Sequence, residues 1–381
     1  MASDLAALTR LRHWLHAHPE ISRQEVETAR YMRRFLDQHA KPDSIVPLHG
    51  AGFAAVYGAA KTGKTVMLRC ELDALPIHEI NTDLPYRSIY DGVGHKCGHD
   101  GHMAIMAGVA LRLMREPAAG RVVLLFQPDE ETGTGARSCC DHPAFQALAP
   151  DFVFALHNLP GYPQGQVVCR TGTFSSEVKY AAVTFRGREA HSAQPETGAS
   201  PSRAMAELTL KAYEIQAQYD SPDSYALVVP VYSRMGVQAS GISPAAGEVQ
   251  YTLRAANGET VQAMWSELSQ AAQNLATRDG LDVSFETKEE FGATVNRDTA
   301  VTMIHRAAAQ ADLSYHCAKM PFRWGEDFGE FLKRYDGGMF GLGAGENQPD
   351  LHNADYDFPD EIIYGGVRVF YELIKIAQQQ D

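Results

Sequence analysis

Val66-Met-Leu-Arg-Cys-Glu-Leu-Asp73 is a short, largely apolar run that closes on an acid. Val122-Val-Leu-Leu-Phe-Gln127 and Phe152-Val-Phe-Ala-Leu-His157 share its build. Such runs fit strands buried on both faces of a mostly parallel sheet. Between the first two lies Met103-Ala-Ile-Met-Ala-Gly-Val-Ala-Leu-Arg-Leu-Met114, long enough for a crossover helix. A set of buried helices fits poorly, because the runs are short and rich in β-branched and aromatic residues. The pattern predicts an α/β domain, a mixed, mostly parallel sheet flanked by helices.

Working outward, two helices are expected ahead of the first strand, from about Asp4 to Ala17 and from Glu25 to about His39. Pro19 separates them and Ser22 stands near the start of the second. After about Thr173 the rhythm changes. Tyr180–Phe185, a helix from about Pro201 to Tyr219, strands at Tyr225–Val231 and Gly247–Arg254, a helix from about Gly258 to Ala276 and a strand near Asp282–Glu286 make a small α+β unit of ferredoxin-like order. An inserted domain is therefore expected at 173–288, with 1–172 and 289–381 forming the main domain through helices near Thr299–Ala309 and Asp360–Gln378. A chain of 381 residues also exceeds what one core usually holds.

The net charge of −13 argues against a nucleic-acid partner, which needs a basic patch to displace counterions. The start of the chain has no apolar segment with a cleavage site, and no run of about 18 apolar residues occurs, so no membrane association and a cytoplasmic location are expected. Six cysteines in so long a chain are not a disulfide scaffold, which leaves Cys97 available as a thiolate ligand.

Chemistry gathers in His95-Lys-Cys-Gly-His-Asp-Gly-His102, where composition alone would place about 0.3 of a histidine. Cys97 and His99 flank Gly98, a spacing that lets a tight loop aim both at one ion. Asp73, Glu130, Glu131 and His157 fall where apolar strands end, and His352 follows Gly338-Met-Phe-Gly-Leu-Gly343. Parallel sheets place their ligand crevice at the carboxyl ends of the strands, so these groups should meet on one edge. Cys97, His99, Glu131, His157 and His352 are more donors than a single catalytic zinc needs, which favours a two-metal site. Thiolate and imidazole suit zinc, nickel or cobalt, and the carboxylate keeps manganese open. Of the adjacent Glu130 and Glu131, one can hold metal while the other takes a proton from water, and spacing alone does not say which.

Taken in order, Leu11-Arg-His-Trp-Leu-His-Ala-His-Pro-Glu20, Leu68-Arg-Cys-Glu-Leu-Asp-Ala-Leu-Pro76, His95–His102, Gln127-Pro-Asp-Glu-Glu131, Ala155-Leu-His-Asn158, Gly187-Arg-Glu-Ala-His-Ser-Ala-Gln-Pro195, Gly325-Glu-Asp-Phe328 and Leu351-His-Asn-Ala-Asp-Tyr-Asp-Phe358 make the sequence resemble one family. It is the metal-dependent amidohydrolases that include hippurate hydrolase, N-acyl-amino-acid deacylases and auxin-conjugate hydrolases, the aminoacylase branch of a dimetal exopeptidase superfamily. The resemblance implies that Cys97 bridges two divalent metal ions, with His99, Glu131, His157 and His352 completing their shells. It further implies Glu130 as general base, Asp73 as the carboxylate orienting a ligand, and His191 as the oxyanion donor reaching the centre from the inserted domain, often from the partner of a homodimer. His95 and His102 remain as groups behind the ligands or at the helix start.

Two departures bear on substrate. The family carries an Asn three residues before a Pro in the inserted domain, whereas Gly241-Ile-Ser-Pro244 has glycine there. Arg254, ten residues after that Pro, is kept and can fork onto a substrate carboxylate. Asp129 stands where a small residue is usual, which suggests a preference for a cationic group. The expected function is hydrolysis of the amide bond of N-acyl amino acids. A dipeptidase, aminopeptidase or carboxypeptidase of the same chemistry is the alternative. A non-catalytic metal-binding protein, from another class, would need neither Glu130 nor His191.

Overall fold

The computed structural model describes residues 2–221 and 224–380. The chain divides into two compact units. One comprises Met1–Phe174, Thr294–Lys319 and Glu326–Asp381; the other comprises Ser175–Ala293 and Met320–Gly325.

The first unit is built on an eight-stranded sheet. Its spatial order is Ser44–Pro47, Phe53–Tyr57, Arg121–Gln127, Thr65–Glu71, Phe152–Pro160, Asp336–Gly345, Val167–Cys169 and Tyr315–Cys317. Thr65–Glu71 runs parallel to Arg121–Gln127 on one side and to Phe152–Pro160 on the other. The chain thus visits one flank of the central strand and then crosses to the other, so the three carboxyl ends open on one crevice. Every residue of Thr65–Glu71 is buried, Arg69 and Glu71 included. The crossover helix His99–Arg115 is buried through most of its length and lies against the final helix Ile363–Ala377. Gly108 permits that close approach, since a Cβ there would sit 2.4 Å from Val367, and Gly101 makes room for the Phe358 ring, which a Cβ would meet at 2.3 Å.

One local expectation is corrected. His157 does not end its strand, which continues to Pro160 because Asp336–Gly345 runs alongside and pairs as far as Pro160. Ser22 stands just ahead of the helix Val26–His39, as expected, and its hydroxyl donates to Asp73 Oδ2 at 2.8 Å.

The second unit carries a four-stranded antiparallel sheet in the order Ala226–Met235, Ala246–Ala255, Glu177–Arg186 and Asp282–Phe291. The helices Ser202–Tyr219 and Gly258–Asp279 pack on it around Val183, Phe185, Leu208, Tyr251 and Leu268. The succession strand, helix, two strands, helix, strand is the ferredoxin-like order. This unit extends past residue 288, because the strand from Asp282 runs on to Phe291 through a register shift between Thr287 and Glu289. Among the described residues no helix is long and apolar enough to cross a membrane.

Candidate metal centre

Gly98 makes the metal loop possible. It takes φ 90°, a left-handed conformation that glycine adopts without a Cβ penalty, and serves as the N-cap of the helix beginning at His99. The turn leaves Cys97 and His99 on either side of it, both buried. Neither His95 nor His102 caps the helix. His102 places Nδ1 2.6 Å from Glu71 Oε2 and Nε2 against Asn158, while neither ring nitrogen of buried His95 has a hydrogen-bond partner among the described residues.

The five expected donors fall into two overlapping sets. Cys97, His99 and His157 offer ligand atoms within 4.8 Å of one another, and so do Cys97, Glu131 and His352. Cys97 is common to both, the position a bridging sulfur would occupy. Its Sγ lies 3.4 Å from His157 Nε2. A third set, His99 with Glu130 and Glu131, places the acid pair beside the imidazole, His99 Nε2 lying 3.9 Å from an oxygen of each.

Orientation of these donors comes from groups around them. His99 Nδ1 lies 2.9 Å from the Asp73 backbone oxygen, which can only accept, so Nδ1 carries a proton and Nε2 is the nitrogen left toward the cluster. That buried Nε2 has no hydrogen-bond partner among the described residues. His157 Nδ1 likewise donates to the Asn158 carbonyl at 2.9 Å, leaving Nε2 toward Cys97. Asp73 Oδ2 accepts from the backbone N–H of Glu131 at 2.9 Å, which pins the turn bearing the acid pair. His352 is held at φ 66° by its own N–H, which donates to the Lys96 carbonyl at 2.7 Å. Such strain in a non-glycine residue persists only where the surroundings impose it.

The charges of the cluster also fit a cation. Burial, with the charges of Glu326 and Glu131, pushes the Glu130 carboxyl well above its usual range. Burial likewise raises Glu131 to about 7 although His99 opposes it. Burial would lower His99, but Glu71, Asp73 and Glu131 outweigh it and hold the imidazole up at about 10. Burial, with the charges of Glu131, Glu130 and Glu71, pushes the Cys97 thiol well up. His99 Nε2 and Glu131 Oε1, buried without hydrogen-bond partners among the described residues, and the crowded carboxylates are what divalent ions would satisfy.

Sequence reasoning passed over the layer beneath. Fully buried Arg69 bonds Glu71, Glu326 Oε1 at 2.8 Å and Asp327 Oδ1 at 2.7 Å, and Gln127 Nε2 donates to Asp327 Oδ2 at 2.9 Å. Glu326 and Asp327 together with Glu130 form a further acidic group. Asn158 joins the layer, its amide reaching His102 on one side and the Tyr356 hydroxyl on the other. The available signal was a pair of charges, Arg69 and Glu71, inside an otherwise apolar strand. Asp129 is corrected: it is buried, and its oxygens are taken by Arg23 Nε at 3.1 Å and by the hydroxyls of Thr132 and Thr134. Its charge is answered internally, so the argument for a cationic substrate falls away.

The remaining candidates lie in the second unit. His191 is exposed in the short strand Ala190–His191, which pairs with Ile242–Ser243, and Gly241 accepts from the Ser192 N–H at 3.0 Å. His191 and Gly241, separate in sequence, are thereby neighbours. His191 Nδ1 accepts from Ala193 N–H at 3.1 Å, which leaves the ring proton of the neutral imidazole on Nε2. Arg254 donates to the Arg323 carbonyl at 2.8 Å and to the Tyr180 hydroxyl at 2.6 Å.

An α/β unit whose strand ends assemble a thiol, imidazoles and acids at metal-ligand spacing defines a metallohydrolase-like centre. The chain belongs to peptidase family M20/M25/M40, which it matches over residues 67–376. It is 28% identical over 374 residues to the N-acetyldiaminopimelate deacetylase of Oceanobacillus iheyensis, covering 96% of this chain and 98% of the relative. It is also 28% identical over 381 residues to the N-acetylcysteine deacetylase of Bacillus subtilis, covering 98% of each. Among solved structures it resembles the Bacillus subtilis YXEP protein, a dinuclear metal-binding peptidase, with a TM-score of 0.85 and 25% identity over 100% of this chain and 99% of that one. A putative aminohydrolase from methicillin-resistant Staphylococcus aureus shares the fold, with a TM-score of 0.88 and 22% identity over 99% of this chain and 98% of that one.

Proposed function

We propose that this protein is a dimetal amidohydrolase that removes the acyl group from N-acyl amino acids in the cytoplasm. The observation that carries the reading is the pair of donor sets sharing Cys97, with the Glu130–Glu131 pair against His99. The deacetylase relatives, aligned over nearly the whole chain, support the substrate class.

In this reading Cys97, His99, Glu131, His157 and His352 would hold the two ions, with Cys97 the donor common to both sets. When bound, the ions would polarise the amide carbonyl and acidify a water. Glu130 takes the proton from the attacking water and returns it to the leaving amine nitrogen, the two-way transfer that a buried carboxyl of raised proton affinity performs. His191, with its proton on Nε2, donates to the developing oxyanion. Arg254 retains N–H donors beyond those bonded to Arg323 and Tyr180 and takes the substrate carboxylate. Gly241 leaves open space beside His191 where an amide would otherwise stand.

A homodimer through the inserted unit belongs to the same proposal. Its support is the outer strand Ala226–Met235, which exposes Val229, Val231, Tyr232 and Met235 along an unpaired sheet edge. The test is a screen of apoprotein reconstituted in turn with zinc, manganese, nickel and cobalt, over N-acetyl, N-benzoyl and dipeptide substrates. Release of free amino acid from N-acyl substrates under at least one metal is expected. Exclusive cleavage of dipeptides would move the protein to the peptidase alternative, and no turnover under any metal would refute the enzyme.

A further inference from the structure

Two cysteines outside the metal centre face each other across a strand pair. Val167–Cys169 and Tyr315–Cys317 run parallel at the edge of the eight-stranded sheet, and their register sets Cys317 directly against Cys169. Register partners on parallel strands point to the same face, with Cα atoms about 4.8 Å apart, inside the range a disulfide spans. Both side chains are free thiols. Cys317 is exposed and Cys169 is buried beneath it, so one thiol is open to reagents and the other lies behind. Asn296 Nδ2 donates to Cys169 Sγ at 3.4 Å, a contact that steadies negative charge on the sulfur as its proton leaves.

The structure assigns Cys169 and Cys317 as a redox-modifiable pair, in which a low-molecular-weight disulfide oxidises the two thiols to one intramolecular disulfide. Cys317 thiolate attacks the reagent disulfide, forming a mixed disulfide and releasing one thiol. Cys169 then gives up its proton to solvent, and its sulfur attacks the Cys317 sulfur and expels the second thiol. One reagent disulfide is reduced to two thiols as two protein thiols become one disulfide. Burial pushes the Cys169 thiol up to about 12, so the second step is the slow one. The bond would tie the edge strand Tyr315–Cys317 to the sheet just before residue 319, where the chain leaves the first unit, and five residues before it first leaves at Phe174.

The experiment treats the full-length protein with oxidised glutathione, alkylates remaining thiols under denaturing conditions, and maps peptides with and without reductant. The expected result is a linked peptide pair containing Cys169 and Cys317, about two hydrogen masses lighter than the separate peptides and abolished by dithiothreitol. C317S should yield neither linkage nor adduct at Cys169. C169A should stop at a stable glutathione adduct on Cys317. If wild-type protein also stops at that adduct, with Cys169 fully alkylated, the pair is not a redox unit and the proposal fails. Should C169A fold poorly, the wild-type and C317S maps decide the matter alone.

Discussion

His99 donates its Nδ1 proton to the backbone oxygen of Asp73 at 2.9 Å, and the Asp73 side chain accepts the N–H of Glu131 at 2.9 Å. One residue thereby aims two proposed ligands that stand 32 positions apart in sequence. D73A keeps the backbone contact and loses the side-chain one, freeing the turn that carries Glu131. Metal affinity should fall about 10–100-fold, the usual effect of removing a group that orients a ligand. Competition titration of the apoprotein with a chromophoric chelator measures it, and unchanged affinity would remove Asp73 from the centre.

Glu130 and Glu131 are adjacent, yet their surroundings differ. Glu131 enters the set with Cys97 and His352, whereas Glu130 shares a set with Glu326 and Asp327. E130Q should therefore lower kcat by about 10²–10⁴, the range for a lost general base, with metal content near wild type. E131Q should lose metal as well as activity. Elemental analysis beside steady-state kinetics separates the two, and metal loss in E130Q would exchange the roles.

Gly98 is fixed by geometry as well as conformation. A Cβ there would stand 2.6 Å from Asn158 Oδ1, and Asn158 is itself held by His102 and Tyr356. With φ at 90° as well, G98A should cost about 1–3 kcal/mol and displace Cys97 from His99. A lowered melting temperature and reduced metal content together are expected; a variant that binds metal normally would show that the loop yields.

The strands were legible because burial on both faces writes itself as a continuous apolar run, and Val66, Val122 and Phe152 each stand within a residue of an observed strand start. The donor cluster was legible because Cys97, His99, Glu131, His157 and His352 are residue types with few other reasons to gather. What stayed hidden depends on partners distant in sequence. Nothing local to Asp129 announces Arg23, 106 positions away, as its counter-ion. Nor does the Gly325–Phe328 motif reveal that Glu326 and Asp327 close on Arg69. The strand end at Pro160 was likewise set by a neighbour, Asp336–Gly345, that joins the sheet late in the chain.

His16 provides a pH dependence apart from the metal ligands. It is buried between Asp100 Oδ2 at 2.8 Å and Glu79 Oε1 at 3.0 Å, with Arg12, Lys96 and Asp357 also in the cluster. Burial would lower it, but the two carboxylates prevail and raise it from 6.5 to about 9. Since the folded value lies above the unfolded one, the contribution is complete below pH 6.5 and is lost as pH rises through 9. It amounts to about 3 kcal/mol. Thermal melts from pH 6 to 10 should show a fall over that window, flattened in H16Q; parallel slopes in the two proteins would exclude His16 as its source.

Gly241 offers the sharpest question about specificity. A Cβ there meets nothing within 4 Å, so G241N should fold and melt as the wild type does. The added amide stands beside the paired strands Ala190–His191 and Ile242–Ser243. If His191 acts on the oxyanion, an amide next to it gains a hydrogen bond to bound substrate worth about 1 kcal/mol, which is about a fivefold lower KM. Because the bond is made to ground state and transition state alike, kcat should hold within about twofold. Initial-rate kinetics on the best N-acyl substrate of the metal screen measure both constants. A G241N variant with KM and kcat both unchanged would place this loop away from the substrate, and with it the role proposed for His191.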